Sequence, residues 1–116
     1  MNGVKFGSVT IGVRDMRESV RFYRDVMGFA VVSESEWFSE LEFEGFRLCL
    51  HVANEHMPPA TGISLEFRCA NLHETYEAFK RMGVEITPPR LEEGMTHESC
   101  TVTDPNGNSV MLMAGG

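Results

Sequence analysis

Ser8-Val-Thr-Ile-Gly-Val-Arg-Asp15, followed by a helix-like run that stops at Gly28, decides the fold because the chain says it a second time. The second statement is Ser64-Leu-Glu-Phe-Arg-Cys-Ala-Asn71 with a run that stops at Gly83. Positions 8 and 64 are 56 apart, as are 15 and 71, whereas 28 and 83 are 55 apart, so the second run has lost one residue. A later pair, Glu44-Gly-Phe-Arg-Leu-Cys-Leu-His51 and Asn106-Gly-Asn-Ser-Val-Met-Leu-Met113, also corresponds, at a separation of 62. A period near half the chain implies two copies of one supersecondary unit, neither able to bury its own apolar face alone. Duplicated open sheets usually leave a concave seam, and concave apolar seams are where ligands bind.

Local grammar gives each copy the same elements. Residues 5 to 13 alternate, with Val9, Ile11 and Val13 on one face and Ser8, Thr10 and Gly12 on the other, which is a strand with one apolar side. Asp15 stands three residues before Glu18 as a capping box, Met16, Val20, Tyr23 and Met27 follow at helical spacing, and Gly28 is the stop. In the second copy Leu65, Phe67 and Cys69 alternate with Ser64, Glu66 and Arg68; Asn71 and Glu74 form the cap; Leu72, Tyr76, Phe79 and Met82 form the stripe. Strands are expected at Phe29 to Ser33, Trp37 to Phe43 and Phe46 to Val52, then at Val84 to Thr87, His97 to Thr103 and Asn108 to Met113. Glu44-Gly45 and Asp104-Pro-Asn-Gly107 are the turns. The expectation is one α+β domain over residues 1–116: two tandem βαβββ modules forming a curved mixed sheet with helices on the outer face. Module one spans 1–53, a hinge containing Pro58-Pro59 spans 54–61, and module two spans 62–116.

Composition narrows the function classes. The 42% hydrophobic and 23% charged fractions are those of an ordinary globular chain. A net charge of −7 without a basic stripe argues against nucleic acid and anionic membrane as partners. No apolar run approaches membrane-spanning length and no secretory leader is legible, so the expected location is the cytoplasm. Cys49, Cys69 and Cys100 are an odd number without CxxC pairing, which argues against a disulfide framework. P-loop, dinucleotide and nucleophile-elbow fingerprints are missing.

Val9-Thr-Ile-Gly-Val-Arg-Asp15, Ser19-Val-Arg-Phe-Tyr-Arg-Asp-Val-Met-Gly28 and Asp104-Pro-Asn-Gly-Asn108 together resemble the vicinal oxygen chelate superfamily, which holds glyoxalase I, extradiol dioxygenases and bleomycin-resistance proteins. The resemblance covers the whole chain and implies the fold, and often a homodimer, but no single activity. Metal-dependent members place His, Gln or Glu at four strand positions that correspond here to Ser8, Cys49, Ser64 and Met111. Two hydroxyls, a thiol and a thioether are poor ligands for Mg²⁺, Mn²⁺ or Fe²⁺, so neither a metal nor another cofactor is expected. Cys49 and Met111 with His51 also read as a soft Cu(I) or Zn²⁺ site, the plainer reading being an apolar lining.

The resulting candidate ligand-binding set is Ser8, Thr10, Trp37, Cys49, His51, Ser64, Glu66, Arg68, His97, Met111 and Met113. Strand parity points most of them inward, and Trp37 offers a ring for stacking. Glu66 and Arg68 either pair with each other or hold a ligand group. Glu40, Glu42 and Glu44 read as a solvated face or as an acidic rim that attracts a cation. The favoured function is metal-independent binding of an apolar or aromatic small molecule by a homodimer that sequesters or senses it. The alternatives are a glyoxalase-like lyase or dioxygenase-related enzyme using His51, His97 or Glu66 as acid or base, and a scaffold whose interface alone matters.

Overall fold

A computed structural model describes residues 2–115. Its elements run β1 (Val9–Val13), α1 (Met16–Arg21), a π-helical turn (Phe22–Val26), β2 (Ala30–Ser33), β3 (Phe38–Phe43), β4 (Phe46–Val52), β5 (Ser64–Cys69), α2 (Leu72–Arg81), β6 (Ser99–Thr103) and β7 (Ser109–Ala114). They make two mixed sheets of an α+β fold, ordered β1-β4-β3-β2 and β5-β7-β6, and the chain divides into two compact units between Ala60 and Thr61. Among the described residues no helix is long and apolar enough to cross a membrane.

The duplication is visible in the strand register. In the first unit β1 pairs in parallel with β4, putting Thr10 beside Cys49; in the second β5 pairs in parallel with β7, putting Glu66 beside Met111. Thr10 and Glu66 are 56 apart and Cys49 and Met111 are 62 apart, the two separations of the sequence repeat. Both helices start as the caps predict: the Glu18 N–H donates to Asp15 Oδ1 at 2.9 Å and the Glu74 N–H to Asn71 Oδ1 at 3.1 Å. Both stop at a glycine in the left-handed region, Gly28 at φ 86° and Gly83 at φ 80°.

The one-residue difference between the two runs is absorbed by the π-helical turn. Two closing bonds of the first helix are each one residue longer than their counterparts. The Met27 N–H donates to the Phe22 carbonyl and the Phe29 N–H to that of Tyr23, where the second copy uses Met82 to Ala78 and Val84 to Phe79. The wider turn holds Tyr23 at 1% exposure, with its ring edge-on to Phe22 and Phe29 at 4.9 and 5.6 Å.

In the first unit Ile11, Val13, Leu41, Leu48 and Leu50 are buried on the sheet side covered by α1, together with Met16, Val20 and Tyr23. Each buried leucine contributes about 2 kcal/mol from area removed from water, an upper figure because unfolded chains bury some area too. In the second unit Cys100, Val102, Val110 and Leu112 form the core, with α2 packed on β6 and β7. That helix buries only Leu72 fully, and Met82 stays 53% exposed, so the expected stripe is half a stripe: a three-stranded sheet offers less surface to cover it.

Two strand expectations need correction. Residues 5–8 lie outside β1 and are exposed. The expected strand at Val84 to Thr87 is reduced to a single bridge, Ile86 with Val102, and a second bridge joins Arg90 to Ser99. Pro88-Pro89 sits between those bridges, and two residues without N–H groups cannot continue a ladder.

Residues 53–60, which overlap the expected hinge at 54–61, are hydrogen-bonded to the first unit. The Ala53 N–H donates to the Val13 carbonyl at 2.8 Å and the Ala60 N–H to that of Gly12 at 2.8 Å. Inside it the Asn54 side chain accepts from the His56 and Met57 N–H groups, both at 2.8 Å, and the Asn54 N–H donates to the Met57 carbonyl at 2.9 Å. This strap lies along β1, an end strand of its sheet, and so blunts the open edge.

Candidate ligand-binding faces

Register fixes which side chains share a sheet face. In the first unit Thr10, Cys49 and Glu40 form one row, and Gly12, His51 and Phe38 form the next. Arg47 and Glu42 make a third row on the same face, away from α1. Thr10 is exposed, Cys49 is buried and His51 is half-buried. His51 Nδ1 is 2.7 Å from the Val52 carbonyl, which can only accept, so the proton sits on Nδ1 and a neutral ring keeps Nε2 as an acceptor. The Phe38 ring stands edge-on to His51 at 6.3 Å.

Sequence parity missed the charged end of this face. Arg47 Nε donates to Glu42 Oε1 at 2.9 Å, and its Nη1 donates to Glu40 Oε2. The hydrogen bond to Glu42 and the charge of Glu40 hold the Arg47 guanidinium above its usual pKa. The even-numbered positions of β3 carried the signal, since Glu40 and Glu42 share the parity of Phe38, and Phe38 meets His51. Trp37 lies one residue before β3, in step with Ser39 and Leu41, and is 69% exposed. The ring on the face with His51 is therefore that of Phe38. Ser8 precedes β1, is exposed, and is in step with Thr10.

In the second unit Ser64 pairs with Ser109, Glu66 with Met111 and Arg68 with Met113, all on one face, and β6 adds Ser99, Thr101 and Thr103 to it. Met113 is buried, Met111 half-buried, and Ser64, Glu66 and Arg68 are exposed. Arg68 Nε donates to Glu66 Oε2 at 2.7 Å, the pairing that their spacing allowed. At such exposure the pair contributes less than about 1 kcal/mol. His97 lies outside β6, exposed, with Nδ1 3.0 Å from Thr96 Oγ1. A Cβ on Gly115 would come within 3.3 Å of the His97 ring and 3.5 Å of Arg68 Nη1, so both side chains converge on Gly115. Thr101, beside Met111, has no counterpart in the sequence-derived set.

Four positions correspond, by the resemblance, to the metal ligands of metal-dependent members. Ser8 and Ser64 are exposed, Cys49 is buried and Met111 half-buried, and among the described residues no three His, Cys, Asp or Glu side chains gather into a metal-binding group. That donor set does not fit a hard divalent cation. His56 and His73 are surface residues beside Glu55 at 3.4 Å and Glu98 at 3.2 Å.

A doubled βαβ-and-hairpin unit with a polar and sulfur-bearing face on each sheet defines a class of paired-module binding and catalytic domains. The chain matches the Glyoxalase/Bleomycin resistance protein/Dioxygenase superfamily over residues 5–112 and belongs to it. Solved structures share the fold at low identity. The antibiotic-binding protein TnmS3 from Streptomyces sp. CB03234 is 18% identical with a TM-score of 0.79, over 100% of this chain and 99% of that one. A bleomycin-binding protein complexed with bleomycin is 20% identical with a TM-score of 0.71, over 97% and 100%. Lactoylglutathione lyase from Agrobacterium tumefaciens is 18% identical with a TM-score of 0.73, over 99% and 96%.

Proposed function

We infer that this protein binds a small apolar or aromatic molecule without a metal ion and without turning it over, sequestering or sensing it. The observation that carries the reading is the donor set: Ser8, Cys49, Ser64 and Met111 stand where metal-dependent relatives carry imidazoles and carboxylates. Around them each face sets sulfur-bearing or aromatic groups, Cys49 and Phe38 on one and Met111 and Met113 on the other, among hydroxyls and ion-paired side chains that can orient a ligand. Similarity to antibiotic-binding proteins supports binding over chemistry, and the net charge of −7 favours neutral or cationic ligands over anions. The lyase reading stands second because Glu66, one of its three candidate acid–base groups with His51 and His97, is already engaged by Arg68 at 2.7 Å. Of the candidate set, Thr10, Cys49 and His51 in the first unit and Ser64, Glu66, Arg68, Met111 and Met113 in the second are the contacts proposed. Ser8, Trp37 and His97 flank them. The protein works in the cytoplasm as a homodimer, with neither nucleic acid nor membrane as a partner.

A panel of planar antibiotics and metabolites, titrated by calorimetry, tests the reading, with a saturable binding signal as the expected result. A panel that never perturbs the signal, or a member converted at an appreciable rate, overturns it. Elemental analysis of protein purified without chelators is expected to give well under one equivalent of Zn, Mn, Ni or Fe. Sedimentation is expected to give a dimer at micromolar concentration.

A further inference from the structure

The strap over β1 does more than cover an edge. Gly12 has the face parity of Thr10 and pairs with His51, so a side chain there would point onto the ligand face of the first unit. A Cβ on Gly12 would instead overlap the Pro58 carbonyl oxygen and come within 3.1 Å of that of Met57. The strap backbone therefore crosses the face at Gly12 and ends it beside His51. Its position is fixed by the hydrogen bonds at Ala53 and Ala60 and by the Asn54 side chain. The Met57 carbonyl accepts from the Asn54 N–H, whereas no donor among the described residues reaches the Pro58 carbonyl. This end of the face thus combines a backbone acceptor, the Nε2 edge of a His51 ring held at Nδ1 by the Val52 carbonyl, and the Phe38 ring, which is 40% exposed.

We propose that the Pro58 carbonyl and His51 Nε2 form a donor-reading subsite, selecting flat ligands that present an N–H or O–H group at one edge while the ring lies against Phe38. The subsite rests on the small-molecule reading above and adds to it the chemistry of one ligand edge. Arg47, the donor-rich group of the same face, lies two positions along β4 from Cys49 and is already satisfied by Glu40 and Glu42, so it does not compete for the same edge. An acceptor that a bound ligand covers without supplying a donor costs more than the bond itself contributes, which is what turns a single missing N–H into selectivity.

The test uses two probes that differ in one donor: the β-carboline norharmane, with its pyrrole N–H, and its N9-methyl derivative. Their dissociation constants are read by the fluorescence anisotropy of the probes. The intact protein is expected to bind the N–H form about tenfold more tightly. His51→Phe keeps a ring and removes the acceptor, and is expected to reduce the preference to about twofold. His51→Gln restores an acceptor and is expected to recover most of it. Asn54→Ala releases the strap and is expected to lower the preference while circular dichroism stays unchanged. Equal affinity for the two forms overturns the subsite and leaves small-molecule binding standing. A preference untouched by both His51→Phe and Asn54→Ala also overturns it. Binding of neither form at millimolar concentration overturns it as well, and the wider panel then decides the function separately.

Discussion

The two units began as one pattern and now solve the same problem with different parts. The first carries four strands, a type I′-like hairpin at Glu44-Gly45 with both residues at positive φ (48° and 84°), and a backbone strap against β1. The second carries three strands and a longer turn built on a buried aspartate, and position 68, the counterpart of Gly12, holds an exposed arginine. What the difference teaches is that duplicated backbones keep their pairing register while turns, edges and face chemistry drift independently.

The largest expected effect is at the second unit's turn. Asp104 is 3% exposed, and its Oδ1 accepts from the Asn106 and Asn108 N–H groups, both at 2.8 Å. Asn108 in turn accepts from the Ile63 N–H at 3.1 Å, tying the start of the unit to its last strand. Asp104→Ala is expected to cost about 3–4 kcal/mol in urea unfolding, because charge-assisted bonds are lost and buried donors left bare. Glu44→Ala, in the first unit's turn, is expected to cost well under half of that.

Gly12→Ala comes next, at about 2–3 kcal/mol, since the new methyl meets fixed backbone. Arg68→Ala at the matching position is expected to cost under about 1 kcal/mol, for its pairing with Glu66 is half-exposed. If the two costs came out equal, the strap would not be the constraint described.

A pH dependence separates the units further. Burial pushes the Cys100 thiol up to about 11 from 9.0, with the charges of Cys69 and Glu98 adding to it. A raised thiol pKa stabilises the fold fully below the unfolded value and loses that contribution as pH rises toward the folded one. Stability is therefore expected to fall between about pH 9 and 11, by about 1.4 kcal/mol per unit at the steepest. Denaturation series on the native protein and Cys100→Ala check it: the variant should lose that part of the slope. The corresponding position in the first unit, by the repeat register, is Ser39, which is equally buried and carries no such penalty.

The smallest effect is a gain. Glu44 holds φ 48°, a region that disfavours side chains other than Asn, Asp and Gly, so Glu44→Asn is expected to raise stability by about 0.5–1 kcal/mol. The paired turn of the second unit has no such residue to improve, because its positive φ already falls on Gly107.

Much of this was legible in the chain. The caps at Asp15 and Asn71 and the stops at Gly28 and Gly83 follow from spacing, because capping is local chemistry, whereas the pairing of Thr10 with Cys49 and of Glu66 with Met111 joins distant strands and shows only in the structure. The broken edge strand was misread because Val84 to Thr87 alternates correctly, and the obstacle lies just beyond it in Pro88-Pro89. The faces were legible only in part. Glu40 and Glu42 carry the right parity, but their partner Arg47 lies across a hairpin, and carboxylates without a visible partner read as solvent-facing. The strap over Gly12 left no mark in the sequence except a glycine inside a strand, which signals close backbone approach without saying from where.

The π-helical turn at Phe22–Val26 has a consequence for how such chains tolerate insertions and deletions. It takes up one residue inside a helix while the cap before it and the glycine after it keep the same places in the strand pattern. A slip of one residue in a strand would instead turn every side chain to the opposite face. Helix ends are thus where a doubled gene can change length and still keep both of its halves in frame with their sheets.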